Sequence, residues 1–127
     1  MPTLARSESI EQTYEVGTWE GETFSLPVGT THVKLRIPCA SFPQVTRDVL
    51  RCYIDVSMDG GRTWRQSLIW TTSGVPARNE LGELSTETSG EFDIKQPENR
   101  RRMVRARLSN SERLTTKMIW EASRGDL

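Results

Sequence analysis

Leu50, Cys52, Ile54, Val56 and Met58 are apolar, and Arg51, Tyr53, Asp55 and Ser57 stand between them. Apolar residues at strict period two put one face of a strand into a core, and they argue against an amphipathic helix. The run ends at Asp59-Gly60-Gly61. Alternation resumes from Trp64 to Thr71, with Leu68 and Trp70 on one face. A strand, a tight turn and a returning strand predict a β-hairpin. A chain built around such a segment must cover that apolar face with other strands.

The rest of the sequence supplies them. Val33, Leu35, Ile37 and Cys39 alternate with Lys34 and Arg36, and Pro38 places the end of this strand at an edge or bulge. Phe92 and Ile94 point inward from a short strand over Glu91 to Lys95. Val104, Ala106 and Leu108 alternate with Met103, Arg105 and Arg107. Thr116, Met118, Trp120 and Ala122 form a last inner face. Earlier, Tyr14, Val16 and Thr18 share a face, as do Phe24, Leu26 and Val28. Turn residues separate these segments, and Ser73 to Gly90 reads as a long loop. The expected fold is all-β: a two-layer antiparallel sandwich of about eight strands, of jelly-roll or Greek-key type. Residues 14–123 are expected to form one domain, after a flexible arm over 1–13 and before a tail over 124–127.

The chain has 127 residues, of which 17 are basic and 17 acidic. A balanced charge gives no general pull toward nucleic acid or a membrane surface, and it does not oppose self-association. No run approaches the roughly 20 apolar residues of a spanning helix. Met1 to Thr13 is polar and lacks the basic and apolar regions of a secretory signal. Synthesis in a cytosol is therefore expected. Cys39 and Cys52 both fall on inward faces and read as buried thiols, with a bridge between neighbouring strands as the alternative.

The hairpin turn has a recognisable pattern: Ser57-x-Asp59-x-Gly61-x-Thr63-Trp64. Ser and Asp side chains accept hydrogen bonds from backbone N–H groups in tight turns. Gly60 and Gly61 allow positive φ, and Trp64 offers a plate to cover the turn. These eight residues resemble the Asp-box of sialidases and other β-propellers. The pattern occurs once, in a chain too short for several blades. The arginine triad and Tyr/Glu pair of a sialidase have no counterpart here. The resemblance is to a single Asp-box in a small non-catalytic β-sandwich, where Ser57, Asp59, Gly60, Gly61, Thr63 and Trp64 are structural turn residues.

No catalytic, metal or cofactor site is expected. His32 is the only histidine and stands at a strand start. Cys39, Cys52 and His32 lack metal-ligand spacing, and Asp55 with Asp59 are too few oxygens for calcium. Arg105 and Arg107 share an outward face downstream of Arg100-Arg101-Arg102. Pairing with acids such as Glu91 and Asp93 is expected there, and a phosphate-binding stripe is the alternative. Trp19, Tyr53, Arg105 and Arg107 are the candidate ligand or partner contacts.

The layout resembles virion decoration (cement) and tail accessory proteins of tailed bacteriophages. That resemblance implies a non-enzymatic structural protein which assembles with itself or with capsid or tail proteins. Met1 to Gln12 and Ser73 to Gly90 would be its contact segments. The alternative is a carbohydrate-binding module that takes a surface glycan on Trp19 and Tyr53.

Overall fold

The computed structural model describes residues 2–39, 50–71, 77–78, 84–111 and 113–125. Twelve strands account for its regular structure: β1 (Thr3–Glu8), β2 (Gln12–Tyr14), β3 (Gly17–Glu20), β4 (Phe24–Ser25), β5 (His32–Cys39), β6 (Leu50–Ser57), β7 (Arg65–Thr71), β8 (Ala77–Arg78), β9 (Leu84–Asp93), β10 (Met103–Asn110), β11 (Leu114–Thr116) and β12 (Ile119–Ser123). Several are halves of one line. β1 and β2 run in file against β12 and β11, and β3 and β4 run in file against β10. The first sheet is then β1/β2, β11/β12, β5 and β9, with β8 on its rim. The second is β3/β4, β10, β6 and β7. Apart from the β6–β7 and β8–β9 pairs, successive lines alternate between the two sheets, which is the winding of a jelly roll.

Period-two alternation drives this arrangement. Val33, Leu35 and Ile37 of β5 face Cys52 and Ile54 of β6 and Val104, Ala106 and Leu108 of β10, and all are fully buried. Trp120 and Ala122 complete the inner face of the first sheet. Cys52 lies in this core as a thiol. The side chains of Cys39 and Trp70 lie outside the described residues.

Three expectations change. Residues 1–13 are not a loose arm: β1 pairs with β12 from Thr3↔Ser123 to Glu8↔Ile119, and β2 pairs with β11. β1 is exposed except at Ala5, which packs on the core, so it carries no apolar alternation to be read. Of the expected 73–90 loop, 73–76 and 79–83 lie outside the described residues, Ala77–Arg78 is strand, and from Leu84 the chain is strand because β9 pairs with β5 from His32↔Asp93 to Cys39↔Thr86. Its Ser and Thr residues become a strand through that pairing, not through hydrophobic pattern. Finally, β5 is an interior line, and Pro38 falls where its ladder to β11 and β12 is interrupted. There the Pro38 carbonyl accepts a hydrogen bond from the Thr116 hydroxyl.

One end of the sandwich is held by Arg102, which is completely buried. Its Nε–H donates to Asn99 O (3.2 Å). Nη1 donates to Thr30 O (2.7 Å) and Lys95 O (3.3 Å), and Nη2 to Pro27 O (3.3 Å) and Pro97 O (3.1 Å). Five N–H donors meet five backbone carbonyls, the full capacity of a guanidinium. The residue expected in a surface basic cluster is instead the tie between the 27–30 turn and the 95–99 loop.

Candidate functional site

The β6–β7 hairpin builds one end of the site. Ser57 ends β6 and is fully buried. Its Oγ donates to Asp59 Oδ1 (2.8 Å) and accepts the Gly61 N–H (2.8 Å). Asp59 Oδ1 accepts the N–H groups of Arg62 (3.1 Å) and Thr63 (2.9 Å), and Oδ2 accepts the Thr63 hydroxyl (2.6 Å). These bonds, led by those from Thr63, hold the Asp59 carboxyl far below the usual carboxylate range. Gly60 and Gly61 sit at φ of 76° and 93°, which favours glycine. The turn also docks on the loop before β10: Gly60 N–H donates to Arg101 O (2.9 Å), and Asn99 Nδ2 to Met58 O (3.1 Å). Ser57→Ala is expected to lose ~1–2 kcal/mol, because one hydroxyl serves two turn partners in a buried place. Urea denaturation measures it, and an unchanged midpoint would contradict the role given to Ser57.

The hairpin opens onto the outer face of the second sheet. There Tyr53 and Asp55 of β6 lie directly across from Arg107 and Arg105 of β10. Asp55 is almost fully buried beneath the two guanidinium groups. Arg107 grips it with Nε on Oδ2 (2.7 Å) and Nη2 on Oδ1 (2.9 Å), and Arg105 Nε reaches Oδ2 (3.0 Å). Burial pushes the Asp55 carboxyl up, but the bonds from Arg107 and Arg105 outweigh it, so the group stays below its ordinary value. The outer bonds continue to Glu20 from Arg105 (3.2 Å) and to Gln66 from Arg107 (3.1 Å). Each guanidinium also covers an aromatic ring: Arg105 over Trp64 at 4.2 Å and Arg107 over Tyr53 at 4.9 Å. Ile69 of β7, directly across from Tyr53, is half exposed.

The fold therefore gathers Tyr53, Arg105, Arg107 and Trp64 on one face. The acids that pair with the arginines are Asp55 and Glu20, not Glu91 and Asp93, because β9 lies in the other sheet. Two arginines against two carboxylates leave the patch near neutral, a poor footing for phosphate. Trp19 is not part of this face. It stands opposite the inward Leu108, its indole N–H donates to Glu15 O (2.8 Å), and its ring meets Tyr14 edge-on at 5.7 Å. Trp19 and Tyr53 thus form no shared platform. Asp55 and Asp59 are each committed to separate partners. His32 lies between carboxylates, with Nδ1 3.0 Å from Asp93 Oδ1 and Nε2 3.4 Å from Glu91 Oε2.

No protein-family model matches the chain, and no curated protein matches it. Solved structures share its fold at low identity. Tripeptidyl peptidase 2 aligns over 94% of this chain at 10% identity with a TM-score of 0.57, and the chain spans 10% of that protein. The module TmCBM61, solved with beta-1,4-galactotriose, aligns over 89% of this chain and 69% of its own at 14% identity and a TM-score of 0.49. A chain of Broad Bean Stain Virus aligns over 87% of this chain and 58% of its own at 10% identity and a TM-score of 0.41. The likeness to tripeptidyl peptidase 2 concerns the fold alone.

Proposed function

We propose that this protein is a non-enzymatic interaction module that presents the outer face of its second sheet to a protein partner. The observation that carries this reading is the braced patch of Tyr53, Trp64, Arg105 and Arg107 around Asp55. Aromatic residues and Arg are enriched where protein partners bind most tightly. Here they are already fixed by one another, so binding loses little side-chain freedom. Ile69 adds exposed apolar surface beside them.

The setting proposed is a virion, with the protein as a capsid decoration or tail accessory component bound to itself or to capsid or tail proteins. A small jelly roll with balanced charge suits repeated assembly. Genes for capsid, portal or tail proteins beside this one would support that setting, and a neighbourhood without them would count against it. Ile69→Asp places a charge on the patch without disturbing the core. It is expected to weaken self-association or particle binding at least about tenfold and to leave the thermal midpoint nearly unchanged. Light scattering of the protein alone and with purified particles reads both states, and full binding by Ile69→Asp would remove this face from the contact.

A further inference from the structure

Beside Trp64, we infer a second binding site: the groove between the start of β7 and the end of β9 takes a ring of a neutral glycan. The groove has a volume of about 670 Å³, and Trp64, Phe92, Met58 and Ile94 are among its lining residues. That size suits a small ligand. Its rim mixes groups that donate and accept, with Thr63, Gln66 and Gln96 beside Asp93 and Lys95. A sugar ring has an apolar C–H face for an aromatic wall and hydroxyls that both donate and accept. The charged groups of the lining are of both signs, Arg65 and Lys95 against Asp93, so no single-sign field fills the groove.

The walls are tied together. Trp64 is held by Arg105, and its hairpin is bonded to the loop that carries Gln96 through Asn99 Nδ2 to Met58 O (3.1 Å) and Gly60 N–H to Arg101 O (2.9 Å). Arg102 fixes the same loop through the carbonyls of Lys95 and Pro97. Gln96 itself sits at φ 58°, a conformation that L residues rarely adopt. Residues of both sheets are thus preorganised around an open space. This site uses neither Trp19 nor Tyr53; it shares Trp64 with the partner face, whereas Ile69 of that face does not line the groove.

The test is a titration with neutral gluco-, galacto-, manno- and xylo-oligosaccharides, followed by amide chemical shifts of the whole protein. At least one is expected to bind saturably, with shifts centred on residues 63–67 and 92–96. Phe92→Leu stays apolar and removes the ring, and is expected to weaken binding about tenfold. Ile69→Asp is expected to leave the titration unchanged, so failure of the partner face and failure of the groove are separately visible. Absence of saturable binding, shifts centred on Trp19 and Tyr53, binding of charged saccharides only, or full affinity in Phe92→Leu would each overturn the site.

Discussion

Arg102→Ala is expected to cost about 3–5 kcal/mol of folding free energy, on the scale of losing a buried charge partner. The variant leaves the carbonyls of Pro27, Thr30, Lys95, Pro97 and Asn99 without their shared donor at a site closed to water. Domains of this size are stable by only ~5–15 kcal/mol, so the loss would leave a marginal fold. Arg102→Lys should recover a minor part, because an ammonium offers three donors where a guanidinium offers five. Equilibrium urea unfolding measures both. A cost below ~1 kcal/mol for Arg102→Ala would mean that the two loops hold together without it.

Asp55→Asn is expected to cost about 2–3 kcal/mol. Asparagine keeps the shape and removes the charge that two guanidinium groups share, and those groups are part-exposed and can turn partly to water. The same carboxylate predicts a pH dependence. Its folded value lies below the ordinary one, as does that of Asp59. The unfolded chain therefore binds more protons in acid. The stabilisation is complete above the unfolded pKa of about 4 and is lost as pH falls below it. Thermal midpoints measured from pH 6 down to pH 2 should fall for the wild type and fall less steeply for Asp55→Asn. A double-mutant cycle of Asp55→Asn with Arg107→Gln should return a coupling above ~1 kcal/mol. Additive losses would mean that the pair is independent.

The strands of the core were legible because their burial is periodic. Cys52 to Val56 and Val104 to Leu108 alternate in the sequence as they do in the sheet. The turn at Ser57 to Trp64 was legible because its bonds are local, spanning at most four residues. Edge and tertiary pairing were not. β1 and the first part of β9 are polar, and only their neighbours make them strands. The partners of Arg105 and Arg107 depended on which strand lies beside β10, a long-range fact. Arg102 had a signal that could have been used: it keeps step with the inward Val104, Ala106 and Leu108. Its place in a run of three arginines masked that parity. The groove beside Trp64 joins segments some thirty residues apart, and no local pattern marks it.

The outer face of the second sheet is the centre of this account, and its edge strand β7 reports on it directly. Among the described residues β7 pairs with β6 alone, and a partner that adds to its other edge would slow the exchange of its backbone. Hydrogen–deuterium exchange of the protein, free and assembled with itself or with particles, therefore reads the contact. The predicted result is new protection over Arg65–Thr71 and the adjoining hairpin, lost in Ile69→Asp. Protection confined to Thr3–Glu8 of the first sheet, with β7 unchanged, would contradict the account.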